Sequence, residues 1–166
     1  NAKKYGRIKI INLTNNTSFE TKDYKNFSLV STLNFNQNSQ QLILTCNKKI
    51  KVFRLKPDTA EIINYEEFET NTNDTITTLE PLSDHQILVG MHSGKIKLME
   101  FQDNKLITQL AFQAHSDHVS SLIINTESNQ LFSGSRDRTI KCWELNIAKK
   151  SYQLNDVAGS KSLDML

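Results

Sequence analysis

The sequence lacks a disulfide framework, long apolar runs and a large excess of charge of either sign. Its 166 residues include two cysteines, Cys46 and Cys142, which are too few for a set of disulfides or a four-cysteine zinc site. No stretch approaches the roughly 18 apolar residues that span a bilayer as a helix. A net charge of +2 does not suggest the basic stripe of a dedicated nucleic-acid binder. We therefore expect no membrane span and no nucleic-acid partner.

A basic-then-apolar signal sequence is missing as well. Because the sequence starts at Asn1 rather than at methionine, we expect it to belong to a longer natural chain. Two cysteines without an evident disulfide partner fit a reducing compartment. We therefore expect the protein in the cytoplasm or the nucleus.

The sequence does contain an internal repeat. Ile8, Ile50, Ile96 and Ile140 each begin an Ile-Lys pair that is followed by two apolar residues, a polar residue and another apolar residue. The four isoleucines are 42, 46 and 44 residues apart. This spacing is close to the ~40–45-residue period of β-propeller blades.

Each repeat predicts four short strands. The segment that begins at each isoleucine alternates its residues between two faces, as a strand does. Turn residues separate it from further apolar segments, which is an all-β pattern. The predicted strands before it are 29–35 and 41–45, 75–82 and 86–91, and 119–125 and 130–135; those after it are 60–65, 106–110 and 151–154. We therefore predict an all-β fold with blades at 28–65, 75–110 and 119–154, part of a blade at 6–21 and a tail at 155–166.

One repeat resembles the WD family. Ala114-His115 is followed, after a spacer, by Ser133-Gly134-Ser135-Arg136-Asp137-Arg138-Thr139-Ile140-Lys141-Cys142-Trp143-Glu144. The family pattern is Gly-His, a spacer and Ser-Gly-Ser-x-Asp-x-Thr-Ile-x-x-Trp-Asp, so Ala114 and Glu144 depart from it. In the earlier repeats the tryptophan position holds Met99, Phe53 and Ile11, and the turn aspartate position holds Ser93 and Asn47. The resemblance, which covers residues from about 6 to about 154, implies a β-propeller of WD repeats with about three to three and a half four-stranded blades.

The resemblance also implies that four polar residues form a hydrogen-bonded tetrad within one blade. His115 would bridge Asp137 and Ser133, and Ser133 would reach the indole N–H of Trp143. Buried histidine and tryptophan side chains need such partners. Replacing Trp143 with alanine would then cost roughly 3–5 kcal/mol. Asp137→Ala would cost about 1–3 kcal/mol, because it leaves a buried donor unpaired.

Two kinds of reactive site are alternatives to this structural interpretation. Ser133, His115 and Asp137 have the inventory of a catalytic triad. However, the sequence has no Gly-x-Ser-x-Gly elbow, and Ser133 lies in the middle of a predicted strand. His115, Asp117 and His118 are neighbours, but no spacing matches a zinc pattern. We therefore predict a protein that is not an enzyme and that holds no metal and no cofactor.

Other residues are interpreted as structural. Cys142 shares a strand face with Ile140 and is expected to be a small core residue, whereas Cys46 is expected in a turn, where it would be exposed. The repeated lysines are expected on a solvated strand face; they are Lys9, Lys51, Lys97 and Lys141. The acidic run at 66–69 is expected to be a solvated connection.

By analogy with the family, the chain is expected to be a rigid scaffold whose loops bind peptides and other proteins. The predicted partner-binding residues are His118, Ser120 and Arg136, then Thr75, Thr77 and His92, and then Ser31 and Cys46. Arg136 is expected to have its guanidinium available for a bidentate contact with a carboxylate. The alternatives are a targeting domain of a larger enzyme or signalling protein, such as a kinase or a ubiquitin-ligase subunit, and an assembly scaffold made only of blades.

The predicted blades are too few for a seven-blade ring. Propellers have about 4–8 blades, and a seven-blade ring needs roughly 300 residues at this period. We therefore expect the remaining blades in the rest of the same longer chain. Apolar strand faces that no blade covers would make the isolated sequence associate.

Overall fold

In the computed structural model, the chain is described at residues 5–11, 18–20, 24–25, 30–46, 49–59, 61–70, 73–103, 105–145 and 155–156. The regular elements within these ranges are all β-strands, and the strands pair antiparallel. The all-β prediction is therefore confirmed. Within the same ranges, no helix is long and apolar enough to cross a membrane.

Four short strands lie near the start of the chain. They are β1 (Tyr5–Gly6), β2 (Lys9–Ile11), β3 (Ser18–Glu20) and β4 (Tyr24–Lys25). β2 pairs with β3, and the strands on either side of them in the chain, β1 and β4, pair with each other. Ile8 and Ile10 of this region pack against the four-stranded sheet that follows. The region corresponds to the part of a blade predicted at 6–21.

Three four-stranded sheets follow, and in each the strands lie side by side in chain order. The first blade contains β5 (Val30–Asn36), β6 (Gln41–Cys46), β7 (Lys49–Leu55) and β8 (Ile62–Glu69). The second contains β9 (Ile76–Pro81), β10 (Gln86–Met91), β11 (Lys95–Gln102) and β12 (Lys105–Gln113). The third contains β13 (Val119–Asn125), β14 (Gln130–Ser135), β15 (Ile140–Glu144) and β16 (Asn155–Asp156). These sheets are the blades of a propeller, so the prediction of about three blades is confirmed.

The fourth strand of each blade departs from its predicted bounds. β8 ends at Glu69 and β12 extends over Lys105–Gln113, so both are longer than the predicted strands 60–65 and 106–110. The prediction of a solvated connection at 66–69 is wrong. These residues continue β8, because Phe68 alternates into the core and is 3% exposed. The strand predicted at 151–154 lies outside the described residues, and β16 falls in the predicted tail.

The apolar core lies between neighbouring blades, because each strand turns alternate residues to opposite faces of its sheet. Between the first and second blades the buried residues are Ile43, Ile50, Val52 and Phe68, against Ile76, Leu79, Ile87, Val89, Met91 and Met99. Between the second and third blades they are Leu88, Ile96 and Leu98, against Ala114, Val119, Leu122, Leu131, Trp143 and Leu145. Each blade is therefore stabilised mainly by the apolar surface that its neighbour covers.

The far face of the third blade is poorly covered. Ile140 is 49% exposed and Ile123 is 61% exposed, and Cys142 is only partly buried. At the matching positions of β11, Ile96 and Leu98 are buried against the third blade at 0% and 1% exposure. The prediction that Cys142 is a core residue is therefore wrong. None of the described residues covers this face of the third blade in the way that the third blade covers the second.

Candidate functional site

The four predicted tetrad residues are brought together in the third blade. His115 Nε2 lies 2.7 Å from Ser133 Oγ, and the indole N–H of Trp143 donates to the same oxygen over 2.8 Å. On the other side of the imidazole, Nδ1 lies 2.9 Å from Asp137 Oδ2. His115 precedes β13, Ser133 lies in β14 and Trp143 lies in β15. The network therefore ties the entry of the chain into this blade to the blade's second and third strands.

Asp137 is the anionic end of this network. Thr139 donates its N–H and its hydroxyl to Asp137 Oδ1 over 2.9 and 2.6 Å, and the N–H of Ser116 donates to Oδ2 over 3.1 Å. Burial raises the pKa of Asp137, but the hydrogen bonds from Thr139, Ser116 and His115 outweigh burial and hold the pKa well below its ordinary range. Thr139 and Ser116 are further members of the network that the sequence did not predict. Thr139 could have been found, since it stands in the repeat motif two residues after Asp137.

The hydrogen-bond directions assign the proton of His115 to Nδ1. The Asp137 carboxylate can only accept, so His115 Nδ1 donates to it, and the unprotonated Nε2 accepts the hydroxyl proton of Ser133, whose oxygen accepts the indole N–H of Trp143. The order Ser133, His115, Asp137 is that of a hydrolase triad. However, Ser133 is 1% exposed and its oxygen is held by the indole, so a substrate has no approach to it. The arrangement therefore supports a structural role.

The second blade helps to position His115. The carbonyl oxygen of Gly94 accepts the N–H groups of Ala114 and His115 over 3.2 and 3.0 Å. Gly94 has a φ of +82°, and a Cβ at this residue would lie 2.2 Å from the carbonyl oxygen of His115. Glycine is the residue that allows both the conformation and the close approach. The network of the third blade is thus built on a backbone contact with the second.

Several predicted partner-binding residues lie together where the second and third blades meet. The rings of His92 and His118 are 5.3 Å apart between their centroids, in an edge-on arrangement. The N–H of Arg136 donates to the carbonyl of His118 over 3.0 Å, and the N–H of His92 donates to that of Thr75 over 2.9 Å. His118 is partly buried, whereas Arg136, His92, Thr75 and Ser120 are exposed. We call His92, His118 and Arg136 the histidine–arginine cluster.

Two other predicted partner-binding residues use their hydroxyl groups within the protein. Thr77 is partly buried and donates to the carbonyl oxygens of Gly90 and Val119, so it bridges the second and third blades. Ser31 is exposed, but its hydroxyl lies 2.6 Å from that of Thr45 within the first blade. Neither residue is part of the histidine–arginine cluster.

Cys46 is not on the surface. It is the last residue of β6, where it pairs with Val30 of β5 and Lys49 of β7, and it is 1% exposed. The prediction of an exposed turn is wrong because β6 continues through this position. The Cys46 side chain belongs to the apolar cluster of Leu44 and Phe53, so it cannot contact a partner.

The electrostatic surroundings of His118 disfavour its protonation. Burial lowers the pKa of His118, and the electrostatic interactions with Arg136 and His92 lower it further, while Asp117 raises it. Nδ1 of His118 is buried without a hydrogen-bond partner, alone among such side-chain atoms in the described part of the chain. In those residues no three His, Cys, Asp or Glu side chains gather as ligands for a metal ion.

A second polar network lies in the first blade, and sequence analysis misses it. Lys51 Nζ lies 2.9 Å from Glu67 Oε2 and 3.0 Å from the hydroxyl of Tyr65, which donates to the same carboxylate over 2.6 Å. Lys49 also pairs with Glu67. Burial raises the pKa of Glu67, but the bonds from Lys49, Tyr65 and Lys51 outweigh burial and lower it to about 2. The expected solvated face is wrong for Lys51, whose side chain is 0% exposed because Glu67 on β8 provides its counter-charge.

Residues 105–144 match the family model described as "WD domain, G-beta repeat". The chain is 28% identical over 99 residues to a WD repeat domain-containing protein 83 homolog of Dictyostelium discoideum, which covers 60% of this chain and 29% of that protein. It is 29% identical over 104 residues to methylosome protein WDR77 of Xenopus laevis, which covers 57% of this chain and 31% of that protein. An uncharacterized WD repeat-containing protein of Schizosaccharomyces pombe is 26% identical over 129 residues, covering 72% of this chain and 34% of that protein.

The fold is also similar to that of a chain in the crystal structure of the mitotic checkpoint complex, with a TM-score of 0.68 and 16% identity, over 96% of this chain and 45% of that one. The chain spans about a third of the length of the three curated relatives. One repeat keeps the WD pattern, and the blades before it keep the fold with other residues. The family match over the third blade and the three curated relatives therefore support a WD-repeat family for this chain.

Proposed function

We propose that this chain is a scaffold that binds other proteins or peptides at the histidine–arginine cluster and acts without catalysis. WD repeats serve in general as protein-interaction modules. The observation that carries the proposal is that the tetrad adjoins the cluster. Asp137, which receives four hydrogen bonds, directly follows the exposed Arg136 in the chain.

The turn that carries Arg136 is held by further bonds. The Arg136 N–H donates to His118 carbonyl, and the N–H of Asp137 donates to the hydroxyl of Ser135 over 3.1 Å. The same hydroxyl donates to the carbonyl of Asp117 over 3.0 Å. Since the backbone is fixed, a partner would not have to order it on binding, which favours affinity. Arginine is also enriched among residues that dominate the energetics of protein interfaces.

The test compares two triple variants in a pull-down followed by mass spectrometry. His92→Ala/His118→Ala/Arg136→Ala removes the cluster. We expect it to lose the partners that the unchanged chain captures while its melting temperature stays the same. The matched control replaces three exposed residues of the first blade, Lys56, Asp58 and Glu61, and should keep those partners. Capture of the same partners by a folded cluster variant would contradict the proposal.

We also propose that a further blade of the same longer chain covers the far face of the third blade. Ile140 and Phe132 are 49% and 36% exposed there, whereas Ile96 and Leu88, at the matching positions of the second blade, are buried at 0% and 1% by the third. The 166-residue chain should therefore self-associate. Light scattering should show association that Ile140→Glu weakens and that Ile63→Glu, at an exposed position of β8, leaves unchanged. A monomer at all concentrations would argue against an uncovered face.

We propose the cytoplasm or the nucleus as the compartment, since Cys46 and Cys142 form no disulfide. Imaging of a fluorescent fusion of the natural full-length protein tests this. A signal confined to the secretory pathway would contradict it.

A further inference from the structure

We propose that the histidine–arginine cluster binds an acidic segment of a partner protein through its carboxylate groups, and that binding takes up protons. This inference rests on the proposed function, because it specifies the chemistry of the partner at the same surface. It goes further in stating which peptides bind and how their binding depends on pH.

The geometry brings three groups that can carry positive charge to one junction. His92 follows β10 of the second blade, His118 immediately precedes β13, and Arg136 immediately follows β14. The two rings are in edge-on contact, and the backbone of Arg136 is bonded to that of His118. Three separate segments therefore bring these residues to one junction, and backbone hydrogen bonds hold the segments there before a partner arrives.

The acidic groups nearby already have hydrogen-bond donors in their own turns. Asp117 accepts the N–H of His118 over 2.7 Å. Asp74 accepts the N–H of Thr75 over 2.9 Å and the hydroxyl of Ser93. None of the ion pairs seen among the described residues involves Arg136, which is exposed. The guanidinium therefore offers its planar set of donors to a carboxylate from outside.

Proton uptake follows from the groups that face His118. These are Arg136 and Asp117 of the third blade and His92 of the second. In the free chain, burial and then the interactions with Arg136 and His92 lower the pKa of His118, and its buried Nδ1 has no hydrogen-bond partner. A carboxylate at the cluster would offset the repulsion and favour the imidazolium form. The affinity for an acidic peptide should then rise as the pH falls.

The test uses the 166-residue chain and two labelled peptides, one with about six consecutive glutamates and one with glutamines in their place. Fluorescence anisotropy should show that the glutamate peptide binds about tenfold more tightly near pH 6 than near pH 8. The glutamine peptide should bind weakly at both. His92→Gln/His118→Gln/Arg136→Gln should abolish the pH dependence, and Arg54→Gln, an exposed control in the first blade, should preserve it.

An NMR titration of the unchanged chain supports the assignment without relying on a variant that must fold. The chain has four histidines, and the glutamate peptide should shift the imidazole signals of His92 and His118 but not that of His85. Equal binding of the two peptides, equal binding at both pH values, no binding, or shifts confined to His85 would each overturn the inference. The proposed function fails separately, if the triple alanine variant still captures its partners. If partners are lost from that variant but glutamate peptides do not bind, the cluster binds another chemistry and only this inference fails.

Discussion

Replacement of Asp137 with alanine is the sharpest test of the tetrad. The Asp137 side chain is 9% exposed and accepts hydrogen bonds from His115, Ser116 and Thr139. Alanine removes this acceptor. The Nδ1–H of His115, in a side chain that is 0% exposed, is then left with the hydroxyl oxygen of Thr139 at 3.0 Å as an alternative partner.

The expected cost can be estimated from these contacts. A hydrogen bond to a charged group contributes about 1.5–3 kcal/mol, and a buried donor without a partner costs about 1–3 kcal/mol. The two figures do not add in full, because Thr139 can accept from His115 and the exposed Ser116 can bind water. We expect the free energy of unfolding to fall by about 3 kcal/mol, and the melting temperature by roughly 6–12 °C for a domain of this size.

Urea unfolding measures this loss, and the fluorescence of Trp143 reports it directly, because this is the single tryptophan and lies in the network. Asp117→Ala is the matched control. It removes an exposed carboxylate that accepts one N–H, from His118, and should change the stability by no more than about 0.5 kcal/mol. If Asp137→Ala and Asp117→Ala are equally stable, the structural role assigned to Asp137 is wrong.

Two further readouts distinguish the hydrogen bonds from packing. The folded pKa of Asp137 lies below its ordinary value, so its stabilisation is present above about pH 4 and is lost as the pH falls towards the folded value. The variant Asp137→Asn should lack this part of the acid sensitivity. In the unchanged chain, ¹⁵N NMR should find the proton of His115 on Nδ1. A proton on Nε2 would refute the assigned hydrogen-bond directions.

Three other substitutions have definite expectations. Glu67→Gln leaves the buried Lys51 without its counter-charge, so urea unfolding should show a loss of about 3 kcal/mol, whereas Lys51→Met should cost less; the reverse order would contradict the argument. Burial raises the folded pKa of Glu80. The protonated carboxyl group therefore contributes stability at low pH that is lost as the pH rises through the folded pKa. Glu80→Gln should raise the melting temperature at neutral pH, and a lower melting temperature would contradict this. Gly94→Ala should lower the melting temperature far more than Gly134→Ala, since the first meets a backbone oxygen at 2.2 Å with a positive φ and the second a serine hydroxyl at 2.7 Å.

The tetrad could be predicted because its members belong to one repeat and one motif. The spacing of Ser133, Asp137 and Trp143 within two neighbouring strands and their turn fixes their relative positions, and His115 enters at the start of the same blade. The period of the isoleucines indicated the number of blades for a related reason, because a repeated strand pattern can be recognised without knowing the contacts between distant residues.

The ion pair of the first blade could not be predicted in this way. Lys51 faces Glu67 across the pairing of β7 with β8, and that pairing exists because β8 runs beyond its predicted end at 65. Without knowledge of the strand register, a run of charged residues indicates a solvated connection. The exposure of Ile140 could not be predicted from its own repeat either, because its burial depends on whether another blade packs against it.

The polar network of the third blade is replaced by apolar residues at the corresponding positions of the second blade. At the positions of Ser133 and Trp143, the second blade has Val89 and Met99, which are buried at 0% and 3% exposure. Because apolar residues fill these places in an intact four-stranded sheet, the tetrad is not needed to form a blade. Its additional effect is on the turn between β14 and β15, where Asp137 collects hydrogen bonds next to Arg136. The third blade thus keeps the polar network beside a turn whose backbone is held by hydrogen bonds and whose Arg136 is exposed.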